Sequence, residues 1–245
     1  MPLSPSTRCV TLLVAGALIS SVLSAAPTFA QDEPLESTLQ MQDDADGANV
    51  LAAVRESFRL LMLEHGIRVA FQAKTRRELG GNFWTDYQRS VRVPRQWSDT
   101  DSVLVNYVGH PIHGAAAAYA WLDNDGVPRE VPFKSRAYWV SRGRATAWAG
   151  AYSLQFELGP LSEASIGNVG KRPETTGWVD HVITPAGAFG QLLIEDMLDR
   201  TIMRWIERRT SNRVLLALSR VTLQPGRSFS NFADGRTPWA LQTRR

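Results

Sequence analysis

Six ionisable side chains stand inside stretches that are otherwise apolar: His110, His113, Glu157, Asp180, His181 and Glu195. A charge moved away from water without a partner is costly, so each must be paired or must surrender its charge. His110 and His113 are three positions apart and share a helix face, provided that Pro111 does not break the helix. With Glu157 or Glu195 opposite them, two imidazoles and a carboxylate suit a divalent cation, which makes His110, His113 and Glu195 a candidate metal set. The same chemistry without a metal is general acid and base catalysis on a lipid ester or phosphate, with His110, His113, Glu157, Asp180 and Glu195 as the candidate catalytic residues. A third use is purely structural. His110 can satisfy a carbonyl freed by Pro111, and Glu157 or Asp180 can neutralise a buried arginine such as Arg144. Ser165 becomes a nucleophile only if a histidine reaches it, and His65 reads as a helix-end residue. The sequence contains no glycine-rich phosphate loop, zinc signature or nucleophile elbow, and no cofactor is expected.

The elements that must position these groups read as helices. Leu51, Val54, Phe58, Leu61 and His65 recur at three-to-four spacing, and Gly66 stands where a C-terminal cap belongs. A further helical or mixed stretch, 67–79, ends at Gly80-Gly81. The 21 residues from Ser102 to Leu122 contain no Asp, Glu, Lys or Arg. That is membrane-spanning length, yet Asn106, His110, Pro111 and His113 interrupt it and its apolar residues are mostly alanine. The expectation is a helix buried in protein and kinked or interrupted near Pro111, closed by a turn at Asn124-Asp125-Gly126. Ser135 to Leu158 follows as a helix. Gly143, Ala147 and Ala151, Gly114 and Ala118, and Ala186 and Gly190 repeat small residues every four positions, a spacing that lets helix backbones approach closely. Thr184-Pro185 reads as a helix start, with Ile194, Leu198, Ile202 and Trp205 as the apolar stripe and Asp196 pairing with Arg200 outside. A last helix runs from Asn212 to Leu223, before a capping segment that ends at Trp239. No internal repeat is visible.

The ends carry information about location. Arg8 is the only charge before Asp32, the 14 residues from Val10 to Leu23 are largely apolar, and Thr28-Phe29-Ala30 is an acceptable cleavage site. Residues 1–30 therefore read as a secretory signal. The alternative is an uncleaved N-terminal anchor; if cleavage occurs there, Cys9, the one cysteine, leaves with the signal, which excludes disulfides and thiol chemistry from the mature chain. Residues 31–48 hold six acidic and no basic side chains and read as an acidic disordered linker. Residues 200–245 hold ten arginines against Glu207 and Asp234. Behind a signal peptide that balance points to anionic membrane lipid or an envelope protein and away from nucleic acid, although a solvated basic face has the same composition. Trp97, Trp121, Trp139, Trp148, Trp178 and Trp205 suit either a membrane interface or a packed core.

Three segments resemble a family of bacterial envelope proteins defined only as a domain of unknown function. Asn106-Tyr107-Val108-Gly109-His110-Pro111-Ile112-His113-Gly114 is similar to its asparagine-tyrosine-x-glycine-histidine-proline-x-x-glycine core. Phe156-Glu157 followed by Pro160, and Asp180 through Thr184-Pro185, Gly187, Gly190 and Glu195, are similar to its second and third segments. Pro225-Gly226-Arg227-Ser228-Phe229 looks related as well. Near the second segment, Ser162 and Glu163 stand where the family spells proline-serine-x-x-aspartate. The resemblance covers roughly residues 100–240 and implies an envelope helical domain without naming a chemistry.

The sequence thus predicts an all-α protein: a signal peptide over 1–30, a linker over 31–48, and a compact helical bundle with small-residue helix contacts over 49–245. Its placement is expected to be the periplasm or an envelope membrane. Two functions fit: a membrane-associated, non-enzymatic component held together by a buried His/Asp/Glu cluster, and a small envelope hydrolase using His110 or His113 with an acidic partner.

Overall fold

The computed structural model describes residues 47–79, 83–91, 93–166 and 175–240. The expected signal peptide and nearly all of the expected acidic linker lie outside the described residues. The described residues form helices and no strand: α1 (Val50–Phe71), α2 (Ala73–Glu78), α3 (Phe83–Ser90), α4 (His110–Leu122), α5 (Arg136–Leu158), α6 (Glu163–Ile166), α7 (Trp178–Leu198), α8 (Arg204–Arg209), α9 (Arg213–Leu223) and α10 (Pro225–Ala233). The protein is all-α, as its sequence predicts.

Helix α4 is the axis of the bundle, packed against α1, α5, α7 and α10. Ala115 to Ala118 are fully buried, and their small side chains let four neighbours close in on one helix. One apolar cluster joins Ala118, Tyr119 and Leu122 to Ala145 and Ala149 of α5 and to Ala188 and Leu192 of α7. A second joins Ala116 and Ala117 to Leu60 and Leu61 of α1 and to Tyr152 and Phe156 of α5. The closest approach is between α4 and α7. A β-carbon placed on Gly114 would stand 2.5 Å from the Thr184 carbonyl oxygen and 2.9 Å from the Ala188 β-carbon.

Close helix contact is therefore present, but most of the residues predicted to make it do not. Gly143, Ala147, Ala151 and Ala186 are exposed, and a side chain at Gly190 would meet nothing within 4 Å. On α5 the inward small residues are Ala145 and Ala149. On α7, Gly187 abuts the Pro111 ring.

Apolar periodicity misplaces two faces in the same way. On α1, Leu61 and His65 of the expected stripe are buried but Leu51, Val54 and Phe58 are exposed, while Ala53, Ser57, Leu60 and Glu64 turn inward. Small residues bring α1 close to the bundle, and the polar ones meet partners there: the Trp148 indole N–H donates to the Ser57 hydroxyl at 2.9 Å. Gly66 does not end the helix, which runs on to Phe71. On α7 and α8, Ile194, Ile202 and Trp205 are exposed. Asp196, expected outside with Arg200, is instead buried against Arg142, whose Nε and guanidinium terminus lie 2.9 and 2.8 Å from its Oδ2. Arg142 is thus a buried arginine, as is Arg220, whereas Arg144 is exposed.

The 102–122 segment is helical and is interrupted just before Pro111, but only its second half is buried: Val103, Leu104, Val105, Tyr107 and Val108 are exposed. A wide π-turn over Val105–Gly109 runs straight into α4, where Pro111 sits in the first turn. Thr184-Pro185 does not start α7, which begins six residues earlier at Trp178 and carries Pro185 inside it. A second π-turn, Asp199–Met203, joins α7 to α8. The expected turn at Gly126 and the Asn212 cap of α9 are both present, the former with φ 72°.

Candidate functional site

The first turn of α4 opens into a cavity of about 380 Å³ between α1, the loop 95–101, the end of α5 and the start of α7. His110, His113, Glu157 and Asp180 all line it. Four of the five candidate catalytic residues therefore converge. The π-turn helps to position them: it buries Asn106, whose amide donates to Asp99 Oδ1 at 2.7 Å and ties the acidic loop to the base of α4.

His113 has an orienting partner that the sequence reading missed. Its Nδ1 lies 2.9 Å from Oε1 of Glu64 on α1, and the Tyr152 hydroxyl donates to the other Glu64 oxygen at 2.7 Å. Edge-on packing against Phe156 fixes the ring further. The Glu64 carboxylate beside Nδ1 orients the ring by charge pairing, without a hydrogen bond of good geometry to Oε1. His113 is therefore built like the imidazole of a carboxylate–histidine pair.

His110 is engaged on both sides. Nδ1 lies 3.0 Å from the Thr184 hydroxyl and Nε2 lies 3.3 Å from Asp180 Oδ1. Burial, with the neighbouring His113 second, pushes its pKa down to about 4. Burial, then Asp99 and Asp101, pushes the Asp180 carboxyl up to about 7. At neutral pH the pair is therefore a neutral imidazole beside a partly protonated carboxyl, rather than two full charges. With both ring nitrogens occupied, His110 holds Asp180 and α7 in place.

Glu157 is the most perturbed acid of the pocket. Burial, with Asp180 second, pushes its pKa up to about 8 against the opposing pull of Arg68. It forms no hydrogen bond with any described residue. Arg68 reaches it only through its field, because that guanidinium is paired with Glu163 and lies over the Phe156 ring. A carboxyl that keeps its proton at neutral pH is a proton donor.

Glu195 lies elsewhere and does not join the two histidines. It accepts from the backbone N–H groups of Gly226 at 2.8 Å and Arg227 at 3.2 Å, capping the start of α10 from outside. The candidate metal set is thereby dispersed, and among the described residues no three His, Cys, Asp or Glu side chains are grouped to hold a metal ion. His181 is half-buried with its ring edge-on to Trp178, outside the cavity. Ser165 is spent on Ser162, donating to its carbonyl oxygen and accepting from its N–H, so it has no nucleophile's role. His65 is not at a helix end: it is buried in α1, stacked on Phe156, with Nε2 2.9 Å from the Leu161 carbonyl oxygen.

Glu64, Tyr152, Asp99 and Asp101 escaped sequence reasoning.

No family model, curated protein or solved structure matches this chain.

Proposed function

We propose that this is an exported cell-envelope protein that rests against a membrane surface and hydrolyses an envelope lipid or cell-wall component. His113 is its general base and Glu157 its general acid. One observation carries the reading: an imidazole oriented by Glu64 and a carboxyl that keeps its proton line the same cavity. His113 Nε2 would take a proton from the attacking water while Glu157 gives its proton to the leaving oxygen, a division of labour that requires two groups of different proton affinity. Export rests on the character of residues 1–30 and on the resemblance of the 106–114 motif to an envelope family. Surface contact is supported by exposed Ile202, Trp205, Val214, Leu215 and Leu218 beside Arg208, Arg209 and Arg213, the apolar and cationic mixture of an interfacial helix. No described helix is long and apolar enough to cross a membrane.

The test is to incubate the full chain with bacterial lipid extract and with peptidoglycan, and to read released products by mass spectrometry. His113→Gln and Glu157→Gln should each lower release about 100-fold while leaving the helical circular dichroism intact, the scale on which a positioned acid or base acts. Unchanged release in both variants refutes the assignment. The doubly engaged His110 favours a second reading, in which the polar cluster is internal glue. On that reading His110→Asn unfolds the protein, and the His113 variant has no effect on any envelope phenotype.

A further inference from the structure

The cavity's charge excludes more than it admits. Asp99, Asp101, Glu157 and Asp180 line it, and the one described lysine or arginine among the lining residues, Arg68, is already paired with Glu163. Asp99 and Asp101 oppose the ionisation of Asp180. An anionic head, such as a phosphate diester or a fatty carboxylate, would meet the same repulsion with no described cation free to offset it. A cation is served little better. Asp99 Oδ1 accepts from the Asn106 amide at 2.7 Å and from the Asp101 N–H at 3.1 Å, and Asp180 Oδ1 faces His110 Nε2. Glu157 is the exception: it is 9% exposed, lies on the cavity wall and forms no hydrogen bond with any described residue. A carboxyl buried without a donor stays neutral, so it carries an O–H with nothing to donate to. Buried polar groups in that condition are rare, and this one asks for an oxygen acceptor on the ligand.

The mouth is apolar. Val105 and Gly109 line the cavity beside Phe156 and Ala73, and the same π-turn presents Tyr107 and Val108 to solvent, next to the exposed Leu104. Trp97 joins them. Its indole N–H donates to the Tyr107 hydroxyl at 3.1 Å, and its carbonyl oxygen accepts from the Val179 N–H at 2.9 Å, which ties it to the start of α7 beside the exposed Trp178. Contiguous exposed apolar side chains mark a binding surface, and here they lead from solvent to the cavity that holds the unpartnered carboxyl. A fatty chain covers such a surface; the hydroxyls of a sugar do not.

We infer that the cavity takes an uncharged acyl group, the ester or amide of a fatty chain, with an acyl oxygen accepting from Glu157 and the chain lying along Trp97, Leu104, Tyr107 and Val108. This deepens the proposed function by naming the class of its substrate, and rests on it for the chemistry that follows binding. In that chemistry water adds across the acyl–oxygen bond of an ester and yields an alcohol and a carboxylic acid. Once ionised, the acid is the kind of head that Asp99 and Asp101 repel, so the product leaves where the substrate was held.

Equilibrium dialysis of the full chain with radiolabelled octanamide tests it, the amide offering an ester's carbonyl while resisting hydrolysis. Unlabelled octanamide, octanoate and octyl glucoside, which share an eight-carbon chain, serve as competitors, so that only the shared site is read. Octanamide should occupy one site, and octanoate and octyl glucoside should each displace it at least about tenfold less well, since like charges oppose the first and the second offers a mismatched head. Glu157→Leu and Trp97→Ala should each weaken octanamide several-fold. Equal displacement by the three heads overturns the inference, as does preference for the carboxylate or the glucoside, or octanamide binding indifferent to both substitutions. The head-group comparison needs no variant and so stands even if a substitution unfolds the protein. Its failure is distinct from failure of the hydrolytic reading. Glu157→Gln keeps an N–H donor and should still bind octanamide, so binding by the parent without product release sinks the catalysis alone. Product release from lipid or peptidoglycan without preference for octanamide sinks this inference alone.

Discussion

Replacing Glu157 by glutamine should stabilise the protein, and by an amount that grows with pH. The folded chain holds the Glu157 proton up to about pH 8, whereas the ordinary carboxyl of the unfolded chain loses it near 4.5. Between those values the folded state binds more protons than the unfolded one, so stability falls as pH rises, by about 1.4 kcal/mol per pH unit for one group. Above about pH 8 this loss is complete. Glutamine is neutral in both states and removes the penalty. From about pH 5 to about pH 8 the variant should therefore gain on the parent by at least about 2 and at most about 4 kcal/mol. His110 and Asp180 titrate in the same range, but the strongest influences on them are burial and groups other than Glu157. The His110 contribution largely cancels in the difference between the two proteins, whereas part of Asp180's remains, because its charge helps to raise Glu157. Urea unfolding, followed by circular dichroism at four pH values and constant ionic strength, gives that difference directly. A gap that stays constant with pH refutes the reasoning. A variant that loses ground as pH rises would mean that Glu157 is a charged partner of Arg68, and its role as proton donor would fall with it.

Three further outcomes follow from the packing and the surface. Arg142, 1% exposed and held by Asp196, should cost about 3–5 kcal/mol when changed to methionine, because a buried carboxylate loses its partner; adding Asp196→Leu should recover most of it, and a single-variant loss below about 1 kcal/mol in urea unfolding refutes the pairing. Gly114→Ala should lower stability by about 2 kcal/mol or more despite alanine's helix preference of about 1 kcal/mol, since the new carbon meets the Thr184 carbonyl oxygen; an unchanged thermal midpoint would show that α4 and α7 can part cheaply. Full-length protein should sediment with anionic vesicles and should be released by Leu215→Asp with Leu218→Asp, or by high salt; equal retention by uncharged vesicles would remove the arginines from the interaction.

Helix content was legible in the sequence because long segments between glycine, proline and polar turns favour helix whatever they pack against. The small-residue character of the 114–120 segment likewise announced a helix that others must approach closely. The helix from Asn212 to Leu223 and the Asn124-Asp125-Gly126 turn were legible for the same local reason. Which face turned inward was not. Leu51, Val54 and Phe58 make the better apolar stripe of α1, yet Ala53, Ser57 and Glu64 are buried alongside Leu60 and Leu61, because the bundle supplies partners there for the polar side chains. Thr184-Pro185 has the local form of a helix start, but α7 begins earlier and uses Thr184 to hold His110.

The candidate site divides along the same line. That His110, His113, Glu157 and Asp180 had to be partnered or neutralised follows from their types and apolar neighbours, and so was fixed by sequence. That they meet in one cavity, that Glu195 instead caps α10, and that Glu64 arrives from a helix about fifty residues away to orient His113 are long-range events. Residue spacing along one chain reports only what shares a helix face; which helices face one another is decided by the packing of the whole bundle.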